Sequence, residues 1–205
     1  MPMKLYEYGR SRSTRCHWIL AELGLEYEAV TIDLTRGEQR RPGFLAINPY
    51  GKVPVLEDGD AVVTESAAIC TWLAERYPGK KLIPPEGTLA RAHYYQWTFF
   101  CMAELEPHLW AMRKHMLIYP KAKRSPAAIR LAKEEYVANV ACLAGQIGGD
   151  GFVLGPAFTA ADIIIGYNLL WADTVGLLDG YASLHDYLER LKQRPAFPHH
   201  IYGKA

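Results

Sequence analysis

The sequence lacks the features that mark membrane-spanning, secreted and nucleic-acid-binding proteins. No uninterrupted apolar run approaches the roughly 20 residues of a membrane span, and the opening MPMKLYEYGRSRS has no apolar core of a signal peptide. Lys and Arg together number 23 against 22 Asp and Glu, so the basic excess expected for a nucleic-acid or acidic-membrane partner is missing. We therefore expect a cytoplasmic protein with no nucleic-acid partner and no membrane partner.

Cysteine is also scarce, and its spacing excludes several kinds of site. The chain has four cysteines, which are widely separated and form no CxxC pair, so neither disulfides nor a zinc site is expected. Each cysteine adjoins apolar residues at helical spacing, which predicts a buried thiol and no metal. The four are Cys16, Cys70, Cys101 and Cys142.

The first 78 residues alternate between strand and helix patterns in the order β-α-β-α-β-β-α. Strands joined through a helix are expected to be parallel, and strands joined by the tight turn at Asp58-Gly59 antiparallel. The pattern thus predicts a small mixed sheet covered by helices. The predicted strands are 4–8, 27–34, 55–56 and 61–63, and the predicted helices begin at Arg15, Glu38 and Ser66.

The stretch from Asn48 to Ser66 gives the clearest indication of a binding site in the sequence. Pro54 belongs at the entrance of a strand, because inside the strand it would delete a ladder hydrogen bond. The cis form of an X-Pro bond lies only about 0.5–1 kcal/mol above trans, so Val53-Pro54 is a candidate cis turn. Such a turn leaves the Val53 amide and carbonyl unpaired at a surface, where they can bind an extended peptide.

Glu65 and Ser66 close the same stretch. Ser66 stands at a predicted helix N-terminus, where free N–H groups and the helix dipole favour a carboxylate. The carboxylate of Glu65 beside it can bind a cation. The pair therefore fits a zwitterion with an ammonium and a carboxylate on one carbon, although both residues can also serve as simple helix caps.

A linker rich in proline and glycine, residues 79–87, separates this first domain (1–78) from a second (88–205) in which no strand is predicted. Pro107 is expected to bend or split the long helix over 89–119. Ser125-Pro126 has the residues of a helix start, and that helix is expected to end at Gly148-Gly149. Further helices are predicted from the capping-box pattern Thr159–Asp162 to Trp171, apolar on nearly every side, and over 184–194.

Five marks together resemble the glutathione S-transferase superfamily over essentially the whole chain, in particular its serine-type, theta-like or nu-like members. The marks are SRSTR after the first strand, NPYGKVP, TES, the proline-rich linker and FTAAD. The resemblance implies an α/β plus all-α fold, with a thioredoxin-like N-terminal domain and an all-helical C-terminal domain that contributes the electrophile pocket. It also implies a cytosolic homodimer that uses glutathione as co-substrate and holds no metal.

The resemblance also assigns roles to individual residues. The backbone of Val53, with Pro54 cis, resembles the position that pairs with the cysteinyl part of glutathione. Glu65 and Ser66 resemble the pair that holds the γ-glutamyl ammonium and carboxylate, which agrees with the zwitterion argument. Lys52 resembles the position that reaches the glycyl carboxylate.

Ser11, four residues before Arg15, is similar to the thiol-activating serine of an S-x-x-x-R arrangement. Ser13 is the alternative within the same loop. Tyr8 is a second alternative, since tyrosine takes this role in other classes. The residues alone leave this choice open.

The function predicted from these features is a glutathione transferase, in which a glutathione thiolate attacks a small apolar electrophile. Three alternatives stay open: a non-catalytic binding or regulatory module of the same fold, a glutathione-dependent peroxidase, and an isomerase of the maleylacetoacetate type. The zeta-type loop of that isomerase has serine and cysteine where this chain has Arg10 and Arg12, which argues against the isomerisation.

Overall fold

A computed structural model describes residues 2–147 and 149–202, and its elements follow the predicted order. The chain divides into two compact units, one of residues up to Ile83 together with those from Arg194 onward, the other of Pro84–Gln193. The strands and helices are β1 (Lys4–Glu7), α1 (Ser13–Leu23), β2 (Glu28–Thr31), α2 (Pro42–Ile47), β3 (Val55–Asp58), β4 (Ala61–Thr64), α3 (Ser66–Arg76), α4 (Leu89–Phe100), α5 (Glu106–Arg113), α6 (Pro126–Gln146), α7 (Ala160–Asp173), α8 (Ala182–Lys192) and α9 (His199–Tyr202).

The first unit contains a four-stranded mixed sheet with the strand order β2-β1-β3-β4. The parallel pair β1–β2 and the antiparallel pair β3–β4 confirm the two predicted pairings, and β3 is also antiparallel to β1. α1 and α3 pack together, and Leu5 and Leu56 from the two central strands are fully buried. Burial of each such leucine contributes roughly 1.5–3 kcal/mol, so this apolar layer fixes the ends of α1 and α3 relative to the sheet.

Several element boundaries differ from the predicted ones for local reasons. β2 ends at Thr31, and the Asp33 side chain accepts hydrogen bonds from the N–H groups of Thr35 (2.8 Å) and Arg36 (3.2 Å), which starts a 3₁₀ turn in place of further strand. α2 begins at Pro42, where proline suits the first helical position. The hairpin turn is Gly59-Asp60, with Gly59 at a φ of 61°, so Asp58 still belongs to β3.

The second unit is helical, and no strand occurs in its described residues, 84–147 and 149–193. α7 runs through its core, with nearly every side chain buried, as its apolar sequence predicts. At the start of α6 the Ser125 hydroxyl accepts a hydrogen bond from the Ala128 N–H (3.2 Å), which confirms the predicted cap. α6 ends at Gln146; of the predicted stop at Gly148-Gly149, Gly148 lies outside the described residues.

Pro107 interrupts the long helical segment after Thr88, as predicted. It is the second residue of α5, which follows a π-helical turn over Cys101–Leu105. Proline lacks an N–H and its ring clashes with the carbonyl four residues earlier, so a wider turn before it relieves both problems. A second π-helical turn, Lys114–Ile118, ends the segment.

Two features depart from the sequence-based expectations. Cys142 is exposed, so the prediction of four buried thiols is wrong for this residue, which lies on a solvent-facing side of α6; the other three cysteines are buried. Residues from Arg194 onward belong to the first unit, whereas the predicted second domain runs to residue 205. The contacts that hold them there, Arg194 with Glu22 and Phe197 with Trp18, join residues more than 170 positions apart, and local sequence patterns carry no information about such pairs.

Candidate active site

The predicted site residues converge at one end of the sheet. Val55 opens β3 opposite Tyr6 of β1 and opposite Thr64 of β4. Tyr8 directly follows β1, Val53 lies two residues before β3, and Ser66 lies two residues after β4, so all three stand at this end of the sheet. Because α1 and α3 also begin at this end, the N-termini of two helices lie close to the unpaired residues that precede β3.

Ser11 and Ser13 have different surroundings at the N-terminus of α1. Ser13 is fully buried, and its Oγ lies 3.3 Å from the Tyr8 amide nitrogen and 3.0 Å from Ser11 Oγ. The half-buried Ser11 hydroxyl also accepts a hydrogen bond from the Ser13 N–H at 3.2 Å. Ser11 is therefore the more exposed of the two serines, whereas the Ser13 side chain is buried and hydrogen-bonded in the interior.

The tyrosines of β1 also differ in availability. Tyr6 donates a hydrogen bond to Glu57 (2.9 Å), and burial together with that carboxylate raises the pKa of Tyr6 to about 12. Tyr6 therefore keeps its proton, and its hydroxyl is bound to Glu57 on the neighbouring strand β3. Tyr8 lies just past β1, and its hydroxyl forms no hydrogen bond with another residue in the described ranges.

The Val53-Pro54 peptide bond is cis, as predicted. Val53 lies outside the strand ladder, and its N–H and C=O groups bond to no other described backbone group. Pro54 is buried, whereas Val53 is half-buried. This edge matches the requirement for pairing with an extended peptide.

The loop before Val53 is held by a residue that the sequence interpretation missed. Asn48 is buried, and its side chain donates to the Lys52 carbonyl (2.8 Å) and accepts from the Tyr50 N–H (3.1 Å). Gly51 has a φ of 59°, and a Cβ there would lie 2.6 Å from the Gln39 carbonyl oxygen. The Lys52 side chain projects into solvent, with no ion pair to any part of the chain that the structure describes.

Glu65 and Ser66 lie at the junction of β4 and α3. Glu65 is exposed and has a φ of 65° with a ψ of 114°, a backbone conformation that costs a non-glycine residue roughly 1–3 kcal/mol. Ser66 is buried, and its Oγ accepts a hydrogen bond from Arg15 Nη1 at 3.2 Å. The guanidinium of Arg15 keeps its charge although it is fully buried, so it adds to the positive end of α3.

Arg15 is the second residue whose role the sequence interpretation missed. The S-x-x-x-R spacing identifies it, but its partner Ser66 is 51 residues away and belongs to another helix. A charged residue on the otherwise apolar face of α1 is the signal that could have shown it, because such a residue needs a buried partner.

The two thiols of the first unit, Cys16 and Cys70, are not suited to act as nucleophiles in this site. Cys16 and Cys70 are buried in the core, and burial with the neighbouring Cys70 raises the pKa of the Cys16 thiol.

Residues 2–147 and 149–202 contain no cluster of three or more His, Cys, Asp or Glu side chains able to hold a metal. Within the same residues no helix is long and apolar enough to cross a membrane.

The sequence matches the family model "Glutathione S-transferase, N-terminal domain" over residues 1–75 and "Glutathione S-transferase, C-terminal domain" over residues 126–190. Glutathione S-transferase Z1 of Arabidopsis thaliana is 40% identical over 204 residues, covering 95% of this chain and 89% of that protein. Glutathione S-transferase 3 of Zea mays is 32% identical over 96% of this chain and 91% of that protein.

Solved structures have the same fold. The ternary complex of BphK, a bacterial GST, superimposes with a TM-score of 0.84 at 28% identity and covers 95% of both chains. Glutathione transferase F7 of Populus trichocarpa gives a TM-score of 0.84 at 25% identity, again over 95% of both chains.

A thioredoxin-like unit with an unpaired edge before β3, together with a helical unit, defines the class of transferases that take glutathione as a substrate. The chain belongs to the glutathione S-transferase family, and it is a glutathione transferase.

Proposed function

We propose that Ser11 activates the thiol of bound glutathione, and that the resulting thiolate attacks an electrophilic carbon of a small apolar substrate. Thiol ionisation releases one proton; the sulfur then forms a bond to carbon, and the substrate's leaving group departs with the electron pair of the bond that breaks. The observation that carries this assignment is the half-buried Ser11 just before the N-terminus of α1, beside a fully buried Ser13.

The required stabilisation is of a size that this site can supply. Lowering a thiol pKa from about 8.5 by two units takes ~2.7 kcal/mol. A hydroxyl hydrogen bond to a thiolate contributes about 1.5–3 kcal/mol and a helix N-terminus about 0.3–1 kcal/mol. When a sulfur arrives, the Ser11 hydroxyl can turn from Ser13 Oγ toward it, because Ser13 keeps its bond from the Tyr8 N–H.

The remaining residues position glutathione in this proposal. Val53, after which the peptide bond to Pro54 is cis, pairs its free backbone groups with the cysteinyl main chain as an added strand would. The α3 N-terminus with Ser66 and the Arg15 charge takes the γ-glutamyl carboxylate, and Glu65 takes the ammonium. Lys52, which projects into solvent, reaches the glycyl carboxylate.

The test is a pH titration of the near-ultraviolet thiolate absorbance of glutathione bound to the wild-type protein and to two variants. We expect the wild type to ionise the thiol well below its free pKa. Ser11→Ala should return that pKa toward 8.5 and lower turnover about 100-fold with little change in glutathione affinity.

Ser13→Ala is the matched variant in the same loop. It should lower stability by about 1 kcal/mol, because the partly buried Tyr8 N–H loses its acceptor, but it should leave the thiolate largely formed. The opposite result, a lost thiolate in Ser13→Ala and a retained one in Ser11→Ala, would move the role to Ser13. If the thiolate of bound glutathione persists in both variants, the activating role would move to Tyr8.

Isomerisation of a substrate by addition and elimination of glutathione is a second candidate, because the zeta-class glutathione S-transferase of Euphorbia esula is 46% identical over 85 residues, 41% of this chain. Arg10 and Arg12 in the loop argue against it. Glutathione is consumed in transfer and regenerated in isomerisation, so a glutathione balance separates the two reactions.

A homodimer and a cytoplasmic location are part of the proposal, and the family resemblance alone supports them. Sedimentation equilibrium of the purified chain tests the first: the mass of two chains is expected, and the mass of one would contradict it.

A further inference from the structure

Residues 194–202 run back along the first unit and contact it at three successive places. Arg194 Nε and Nη2 bind the Glu22 carboxylate at 2.6 and 2.8 Å, a bidentate pair in which the carboxylate is mostly buried. The same carboxylate accepts a hydrogen bond from Trp18 Nε1 at 3.1 Å. One end of the segment is thus fixed near the C-terminal end of α1.

The middle of the segment is fixed by an aromatic contact. Phe197 is buried, and its ring meets the fully buried Trp18 ring edge to face, with a centroid distance of 5.0 Å. The segment then continues to α9, where the His200 ring lies 6.3 Å from that of His17. The contacts therefore pass from Glu22 through Trp18 to His17, antiparallel to α1.

The far end of the segment reaches the loop that carries Ser11. Arg10 Nε donates a hydrogen bond to the Ile201 carbonyl oxygen at 3.0 Å. This is the one hydrogen bond that the Arg10 side chain forms with residues 2–147 and 149–202, and Arg10 is itself exposed. Ser11 follows immediately, in a turn closed by its N–H and the Gly9 carbonyl (2.7 Å).

We propose that residues 194–202 act as a strap that positions the Ser11 hydroxyl, with Arg10 as the positioning residue that joins the strap to the loop. The inference rests on the proposed role of Ser11 in thiol activation. A hydroxyl stabilises a thiolate only within hydrogen-bond reach, and misplacement of a reacting or stabilising group by about 1 Å can cost about 100-fold in rate. The strap limits that misplacement from outside the site.

The experiment compares Arg10→Ala with two strap variants that leave the loop sequence intact, Phe197→Ala and Arg194→Gln. Each should lower turnover about tenfold, leave the KM for glutathione within about twofold, and raise the pKa of the bound thiol. Lys80→Ala, which removes one exposed cation of the same unit outside the site, is the control and should behave as wild type.

The strap variants separate positioning from charge. Loss of the Arg10 cation would by itself weaken a nearby thiolate, but Phe197→Ala removes no charge, and Arg10→Lys keeps one. The strap predicts that Phe197→Ala reproduces the Arg10→Ala defect, that Arg10→Lys restores only part of it, and that the double variant Arg10→Ala/Phe197→Ala is no worse than either single one. Additive defects, or wild-type behaviour of both Phe197→Ala and Arg194→Gln, would overturn it.

Amide hydrogen exchange of the peptide covering residues 9–16 gives a readout that does not depend on the reaction. Both strap variants should speed exchange there, while exchange in β3 and β4 stays unchanged. Unchanged exchange in 9–16 would overturn the strap even if turnover fell. Failure of the proposed function shows instead in the wild type, as bound glutathione that does not ionise.

Discussion

Glu65 is the residue at which backbone strain and the proposed ligand site coincide. Its φ of 65° with ψ 114° is unfavourable for a residue with a Cβ, yet this backbone presents an exposed carboxylate directly before α3. Strain of this kind persists where the surroundings enforce it, and it is concentrated at functional sites. Glycine would relieve the strain but would remove the carboxylate that is proposed to bind the ammonium.

Two substitutions at this position separate strain from charge. Glu65→Gly and Glu65→Gln should both weaken glutathione binding at least tenfold, because a hydrogen bond between charged groups contributes about 1.5–3 kcal/mol. Glu65→Gly should have a free energy of unfolding about 1 kcal/mol above that of Glu65→Gln, since only glycine removes the strain. Calorimetric titration and urea unfolding measure the two effects.

Glu26→Gln, which changes another exposed carboxylate of the first unit, is the control and should alter neither quantity by much. Equal stability of the two Glu65 variants would show that the backbone at this position is not strained.

At the scale of single elements, α7 depends on one buried carboxylate at its start. Asp162 Oδ1 accepts from the Tyr187 hydroxyl (2.6 Å) and the Val153 N–H (2.9 Å), and Oδ2 accepts from the Thr159 N–H (2.8 Å) and hydroxyl (3.1 Å). Burial raises the pKa of Asp162, and these four hydrogen bonds oppose that rise. The predicted capping box is therefore present, and it also ties α7 to α8.

Asp162→Asn should destabilise the protein by about 2–4 kcal/mol at pH 7, because an amide cannot accept all four hydrogen bonds and its NH₂ group faces donors. Guanidinium unfolding followed by tryptophan fluorescence measures the change. Asp179→Asn, an exposed aspartate of the same unit, is the control. A loss below about 0.5 kcal/mol would mean that Asp162 holds its donors only weakly.

At the scale of the whole molecule, stability should depend on pH through His17. Burial lowers the pKa of His17, although Glu7, with Oε2 3.7 Å from Nε2, raises it in part; His200 lowers it further. His17 Nδ1 lies 2.6 Å from the Tyr27 hydroxyl, and burial raises the pKa of that phenol. With the ring proton on Nε2, toward Glu7, a neutral His17 accepts a hydrogen bond from Tyr27 at Nδ1. The neutral ring is thus the form that the native structure favours.

Since the pKa of His17 is lower in the folded than in the unfolded protein, the unfolded chain binds more protons just below its own value of about 6.5. The stability linked to His17 is complete above that pH and is lost as pH falls through the folded pKa. The free energy of unfolding of the wild type should therefore fall more steeply with acid than that of His17→Gln. His93→Gln, an exposed histidine, should keep the wild-type slope, and parallel curves for all three proteins would contradict the assignment.

Local patterns predicted much of the fold, because alternation, helical periodicity, Ser125-Pro126 and the capping box are all written in neighbouring residues. The same holds for the cis bond at Pro54 and for the helix start at Ser66. Sequence could not assign Arg15 to Ser66 or Arg10 to Ile201, since these pairs are 51 and 191 residues apart and tertiary packing alone brings them together. The difference in burial between Ser11 and Ser13 likewise depends on how the loop packs. Because both positions hold serine, the sequence alone does not show which side chain is buried.

The division of the chain has a consequence for its synthesis on the ribosome. The first unit lacks its last segment until Arg194 is made, about 110 residues after Ile83. At roughly 5–20 residues per second, this interval is on the order of 5–20 s. During it the face of Trp18 that Phe197 later covers stays open to solvent, so the nascent first unit presents an apolar surface that chaperones can bind before the chain is finished.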